Sequence, residues 1–217
     1  MDRYFEADLT QHRDRILQMS YLALENLERA LNGLYSRDES LLREAVERDR
    51  EIDQMELTID AECVELLLRL QPVAKDLRLA VMSLKINTNL ERLGDQAVFI
   101  ARVGLDLLGQ TPVKDWFGLP QLSSLTREAV SRAVLAFTRE DTDLAREVRA
   151  GDQEINRLYR QLMLAMVHSA MENPSQLPQT MELMSVAQAL ERGADYGKNI
   201  ADEVIYLVEA VDPRHRG

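Results

Sequence analysis

Two pairs of carboxylates recur in the same sequence context, one hundred positions apart. Glu91 and Asp95 lie in Leu-Glu-Arg-Leu-Gly-Asp, and Glu191 and Asp195 lie in Leu-Glu-Arg-Gly-Ala-Asp. Residues four apart share one face of a helix, so each pair places two hard oxygen ligands side by side. Like charges at this spacing repel at a cost of about 0.2–0.5 kcal/mol, and apolar neighbours add a desolvation cost. The fold must offset that cost in both halves.

The sequence leaves two interpretations of these carboxylates open. One is ion pairing with arginines of a neighbouring helix, such as Arg48 or Arg50. The other is a metal site in which the preceding helix supplies a third carboxylate to a hard or borderline cation. In the first half this third ligand could be Asp49 or Asp53, and Asp49 and Asp152 are the preferred candidates in the two halves. Each begins a similar segment, Asp-Arg-Glu-Ile-Asp in the first half and Asp-Gln-Glu-Ile-Asn in the second.

The other residue types that could do chemistry form no familiar motif. The three histidines, His12, His168 and His215, lack the Glu-x-x-His spacing of di-iron bundles within a helical context. Cys63 is the only cysteine, so an internal disulfide is excluded and a zinc site is poorly supported. The chain contains no phosphate-binding glycine loop and no Gly-x-Ser-x-Gly. We therefore expect that the protein is not an enzyme.

The composition favours a helical protein with a charged surface. Only nine glycines and six prolines occur in 217 residues, which argues against many short strands. The formal charge of -11 at pH 7 disfavours nucleic acid as a partner, because phosphate binding needs clustered cations. The charged start of the chain does not resemble a secretory leader, and no apolar run reaches the length of a membrane span. We expect a cytoplasmic protein with no membrane insertion.

Apolar residues recur at helical spacing through six segments. Asp38 and Asp141 are predicted to cap the second and fifth helices, and Pro72 is predicted to lie in the first turn of the third helix. The predicted helices cover residues 9–34, 39–70, 73–109, 121–138, 142–171 and 177–211.

The repeat and the six helices together predict the architecture. We predict an all-α fold of two tandem antiparallel three-helix bundles related by the internal repeat. The first bundle covers residues 1–110, a linker covers 111–120, and the second bundle covers 121–217.

The doubled motif resembles the paired Glu-x-x-x-Asp signature of the phosphate-uptake regulator family, PhoU. The segment 71–78, Gln-Pro-Val-Ala-Lys-Asp-Leu-Arg, is similar to that family's turn into its third helix, and the resemblance covers residues 9 to about 210. It implies an accessory protein that restrains phosphate uptake and represses phosphate-starvation genes when phosphate is plentiful. The implied partners are the phosphate ABC transporter ATPase and a sensor histidine kinase, which would recruit it to the inner membrane.

The resemblance also implies metal centres, because some members bind multinuclear iron or zinc clusters. The family often has Asn where Phe99 stands and an acid where Arg102 stands. The second half keeps both features, as Asn199 and Asp202, so we expect tighter metal binding at the second site. Magnesium and manganese also suit the oxygen ligands. We further expect a homodimer.

Two other functions stay open at this point. The chain could be an accessory subunit of a different, low-affinity phosphate carrier. From another class, it could be a metal-storing or metal-dependent helical bundle.

Overall fold

Six long helices make up the computed structural model, which describes residues 2–213, with side chains for 7–69 and 71–213. The described residues contain no strand, and the predicted all-α fold of two three-helix bundles is confirmed. His215 and the end of the predicted second bundle, 214–217, lie outside the described residues. The helices are α1 Asp2–Ser36, α2 Glu39–Leu70, α3 Ala74–Leu108, α4 Leu119–Arg139, α5 Thr142–Glu172 and α6 Leu177–Glu209.

The same capping device starts the second helix of each bundle. The carboxylate of Asp38 accepts hydrogen bonds from the backbone N–H groups of Ser40 and Leu41, at 2.9 and 3.2 Å. Asp141 accepts from Asp143 and Leu144 in the same way, at 3.1 and 2.9 Å. These bonds satisfy N–H groups that have no partner inside the helix, so both predicted caps are confirmed.

The turn between α2 and α3 differs from the prediction in one detail. Gln71 adopts a left-handed backbone with φ 44°, which ends α2, and Val73 is the extended residue before α3. Pro72 therefore lies in the connection and not in the first turn of α3. The backbone angles that proline prefers occur in extended segments and turns as well as in a first helical turn. Here the left-handed Gln71 ends α2, and Pro72 follows it in the connection.

The connection between the bundles is tied to the first of them. The ring of Trp116 packs edge-on against Tyr35 of α1, with ring centres 4.8 Å apart. The Arg37 side chain donates hydrogen bonds to the carbonyls of Leu107, Leu108 and Gln110 at the end of α3. These carbonyls have no partner inside the helix, so the arginine fixes where the connection leaves α3.

The two bundles are packed together by α3 and α6, which run in opposite directions. Three contacts show this direction. Arg78 donates to the carbonyl of Leu207 at 3.0 Å, Lys85 approaches Glu203 at 3.2 Å, and Asn199 donates to Asn89 at 3.3 Å. Helices α1 and α4 are also antiparallel, since Glu28 faces Arg127 and Tyr35 faces Ser123. An approximate two-fold rotation therefore relates the two halves of the chain.

One apolar core serves both bundles. Buried residues of all six helices belong to a single cluster, which includes Leu90 and Ile100 of α3 and Leu190 and Ile200 of α6. The predicted boundaries at 110 and 121 stay predictions, and α4 already begins at Leu119, inside the predicted linker. None of the described helices combines the length and apolar character needed to cross a bilayer.

The α3–α6 contact explains the unusual Gly193 in the second motif. A Cβ atom placed on Gly193 would lie 3.2 Å from Cδ1 of Leu93 and 3.0 Å from Cγ2 of Thr126. Leu93 occupies the equivalent position of the first motif, and the approximate two-fold axis brings these two positions together. One leucine fits there when the facing residue is glycine, whereas two leucines would collide.

Candidate carboxylate clusters

A glycine brings α2 close to α3 beside the first motif. A Cβ atom on Gly94 would lie 3.0 Å from Cδ1 of Ile52 and 3.4 Å from Oδ1 of Asp49. The missing side chain thus lets α2 pack tightly and places the Asp49 carboxylate against the backbone of α3. Asp49 is one of the predicted site residues, and its carboxylate is close enough to Asp95 for the two charges to interact.

Five carboxylates of α2 and α3 influence one another here, and we call them the first cluster: Asp49, Asp53, Glu56, Glu91 and Asp95. Burial, followed by the charges of Asp95, Glu56 and Asp53, raises the pKa of Glu91 to about 7. Burial, followed by the charges of Asp53 and Asp95, raises the pKa of Asp49 to about 6, although Arg102 opposes this. Burial, followed by the charges of Asp60, Asp53 and Asp95, also raises the pKa of Glu56. The cluster is therefore a site of mutual repulsion on a partly covered surface.

Ion pairing does not offset this repulsion in the first half. None of the five carboxylates has an ion-pair partner within 4.0 Å among the described side chains. Arg48, a predicted partner, instead pairs with Glu25 at 3.0 Å and approaches Glu51 at 3.8 Å. Arg92 and Arg102 act only at longer range, where they partly lower the pKa values of Glu91 and Asp49.

The second half contains its own cation, and we call Asp152, Glu191, Asp195 and Lys198 the second cluster. The Lys198 ammonium lies 2.6 Å from Oδ2 of Asp152, which is buried, and Asn156 donates to the same oxygen at 3.0 Å. Burial and neighbouring carboxylates still raise the pKa values of Glu191 and Asp195, with Lys198 opposing both shifts. Ion pairing is thus the compensation used in this half.

The second cluster also has fewer acids than the first. Asn156 and Tyr159 occupy the positions of Asp53 and Glu56 in the repeat. The two residues that favoured tighter metal binding in this half are used elsewhere, since Asp202 pairs with Arg149 at 2.9 Å and Asn199 donates to Asn89. Because Asp202 and Asn199 are engaged in these contacts, the first cluster is the better candidate for a metal site.

The donor chemistry of the first cluster fits a hard cation, but the arrangement of the side chains does not yet form a site. In the part of the chain that the structure describes, no three Asp, Glu, His or Cys groups are placed to hold one metal ion. Carboxylates at the surface reorient easily, and a cation would relieve their repulsion. Metal binding here therefore stays a prediction.

Comparison with known proteins decides the family. A model of the PhoU domain matches residues 16–103 and 119–204. The chain is 36% identical to the phosphate-specific transport system accessory protein PhoU homolog of Pseudomonas aeruginosa over 219 residues, covering all of this chain and 90% of that protein. This chain belongs to the PhoU family.

Solved PhoU structures have the same fold. The crystal structure of PhoU from Pseudomonas aeruginosa superposes with a TM-score of 0.92 at 35% identity, covering 95% of this chain and all of that one. The phosphate transport system regulatory protein PhoU from Streptococcus pneumoniae gives a TM-score of 0.88 at 26% identity, covering 96% of this chain and 98% of that one. The resemblance inferred from the doubled motif is thus confirmed, and the two matched segments are the two halves of the repeat.

Two members of these clusters in this PhoU-family chain were missed by the sequence analysis. Glu56 lies three residues after Asp53 on the same face of α2, so helical spacing alone could have added it. Lys198 lies three residues after Asp195 and could have been found in the same way. Its ion pair with Asp152 joins α5 and α6, however, and the choice of partner depends on how those helices pack.

The raised pKa of Glu91 predicts a pH-dependent loss of stability. This pKa is about 7 in the folded protein against the usual 4.5, so between these values the folded state holds more protons than the unfolded state. Its contribution to the free energy of unfolding therefore falls as pH rises through this window, and the repulsion is complete above it. We expect Glu91→Gln to match the wild type near pH 4 and to melt at increasingly higher temperatures than the wild type up to about pH 8.

Thermal melts across this pH range test the prediction. The control is Glu47→Gln, because Glu47 is an exposed glutamate of α2 that does not belong to the first cluster. Glu47→Gln should not reproduce the gain in melting temperature expected of Glu91→Gln. A wild type that gains stability over Glu91→Gln at higher pH would contradict the assigned repulsion.

Proposed function

We propose that this protein is a regulatory, non-catalytic accessory protein that restrains phosphate uptake and represses the phosphate-starvation response. It would act on the cytoplasmic side of the inner membrane, through the ATPase of the phosphate ABC transporter and a sensor histidine kinase. The observation that carries the proposal is the similarity over the full length of the chain to proteins named as phosphate-specific transport system accessory proteins. The proposal includes a homodimer.

Exposed apolar side chains support protein partners. Val64 and Leu68 near the end of α2 are exposed, and their equivalents in α5, Val167 and Met171, are exposed as well. The starts of α3 and α6 repeat the pattern, with Leu77, Val81, Leu177 and Met181. Because α3 and α6 are antiparallel, these two surfaces lie toward opposite ends of the molecule. Exposed apolar side chains that cluster on a surface often mark contacts with other macromolecules.

The net charge argues that a protein, and not lipid, would bring this chain to the membrane. Its formal charge is -11 at pH 7. The cytoplasmic leaflet carries anionic lipids, which repel such a protein over a distance of about one Debye length. Recruitment would then depend on the transporter or the kinase.

Deleting the gene tests the regulatory role. We expect expression of phosphate-starvation genes to rise in phosphate-rich medium after the deletion, and to fall again when the intact gene is restored. Expression that stays low after deletion would contradict the proposal. If the deletion instead changes uptake through a low-affinity carrier, the accessory-subunit alternative is favoured.

We also propose that the first cluster binds a divalent or multinuclear metal, from among magnesium, manganese, iron and zinc. The support is the set of raised carboxylate pKa values with no ion-pair partner among the described side chains. A cation at this surface would offset both the repulsion and the desolvation.

Thermal melting of chelator-treated protein tests metal binding. We expect the melting temperature of the wild type to rise with the logarithm of added Mg²⁺, Mn²⁺, Fe²⁺ or Zn²⁺ above the dissociation constant. Glu91→Gln with Asp95→Asn should lose this response, whereas Glu191→Gln with Asp195→Asn should keep it. If no cation shifts the wild type, the first cluster is only a repulsive surface. If only the second pair of substitutions removes the response, the metal lies in the second half.

A further inference from the structure

A pocket between α4 and α5 is open in the second half of the chain. Its volume is about 110 Å³, far more than one water molecule needs. Gly151 stands at its mouth, and a Cβ atom there would meet no atom within 4 Å. Four apolar side chains form the floor and four charged ones form the rim: Leu125, Ala129, Val148 and Ile155, then Glu128, Arg132, Glu147 and Glu154.

The equivalent pocket in the first half is filled by the chain's own arginine. There the position of Gly151 is occupied by Arg48, and no measurable volume remains between α1 and α2. The Arg48 guanidinium lies 3.0 Å from Glu25 and 3.8 Å from Glu51. In the repeat, these two glutamates correspond to Glu128 and Glu154. The first half therefore shows how this pocket holds a guanidinium group.

The charges around the open pocket match those around the filled one, except for the missing arginine. Arg132 pairs with Glu147 and lies 3.8 Å from Glu128, just as Arg29 in the first half is shared between two glutamates. Among the described side chains, the ion-pair neighbour of Glu154 is the distant Arg157, at 3.9 Å, and both of these side chains are mostly exposed. The rim thus carries three carboxylates against one arginine of its own.

We propose that the pocket between α4 and α5 receives an arginine side chain from a partner protein. The aliphatic part of the arginine would lie over the apolar floor, and its guanidinium would donate to Glu128 and Glu154. A planar guanidinium can bond two carboxylates at once, which a lysine ammonium does less well. Buried arginines are also frequent anchors of protein interfaces.

Titration of the full-length protein with short peptides tests the inference. The probe is acetyl-Ala-Arg-Ala-amide, and the matched peptides carry citrulline or lysine in place of arginine. Citrulline keeps the shape of the side chain but has no charge. Observed by NMR, the arginine peptide should shift the amide signals of Gly151 and Ile155, and it should bind at least tenfold more tightly than either matched peptide.

Variants of the pocket provide the controls. Gly151→Arg supplies the side chain from within, as Arg48 does, and should abolish the shifts. Gly151→Ala leaves the pocket open and should keep them, while Glu154→Gln should weaken binding several-fold without altering the fold. Equal binding of the citrulline or lysine peptide, undiminished binding to Gly151→Arg, or no shift with the arginine peptide would each overturn the proposal.

Discussion

Gly193→Leu is expected to destabilise the protein strongly, although it only makes the second motif more like the first. The new side chain would meet Leu93 and Thr126, because a Cβ atom at position 193 already lies 3.2 and 3.0 Å from their methyl groups. Overfilling a packed core usually costs about 1–3 kcal/mol. The α3–α6 contact joins two helix backbones, which have little freedom to move apart, so we expect about 3 kcal/mol in chemical denaturation.

A second substitution distinguishes collision from other causes. Leu93→Ala alone should also destabilise, by about 2–5 kcal/mol, because it leaves a cavity beside Gly193. Combining Leu93→Ala with Gly193→Leu returns one leucine to the contact, so the double variant should be more stable than the sum of the two single losses allows. Strictly additive losses would show that the two positions do not compete for the same space.

Lys198→Met is the second substitution with a large expected effect. It removes the ammonium group 2.6 Å from Asp152 and leaves that buried carboxylate beside Glu191 and Asp195 without a close cation. Breaking a fully buried pair costs about 3–5 kcal/mol, and the partial exposure of Lys198 reduces this to about 2 kcal/mol. The loss should be largest above neutral pH and should shrink in acid, where the carboxylates become protonated.

The matched test is a double variant. Asp152→Asn together with Lys198→Met removes both charges of the pair, so its melting temperature should recover much of the loss seen in the single lysine variant. Lys114→Met, an exposed lysine of the connection between the bundles, should change little. A double variant no more stable than Lys198→Met would mean that the ion pair is not what the lysine contributes.

The helices and their starts could be predicted from the sequence because they depend on local information. Apolar spacing is a property of each segment, and Asp38 and Asp141 act on N–H groups two and three residues away. The position of Pro72 was predicted less well. Its preference for extended backbone does not distinguish a connection from a first helical turn.

The candidate site could be predicted only in part, because its electrostatics depend on which helices touch. The sequence indicated that Glu91 and Asp95 share a face of α3 and that Asp49 lies on the neighbouring helix, but their joint role as metal ligands stays a prediction. It could not show that Arg48 points at Glu25 of α1, away from these carboxylates. Nor could it show why Gly193 faces Leu93, because that contact follows from the opposite directions of α3 and α6.

The shared core couples the unfolding of the two halves. Leu93 of α3 packs against Gly193 of α6, and buried residues of all six helices belong to one apolar cluster. Melting one bundle would expose the apolar face of the other, so the intermediate with one half folded is high in free energy and scarcely populated. Local unfolding in one bundle should therefore lower the stability of the other, so that both halves unfold as one cooperative unit.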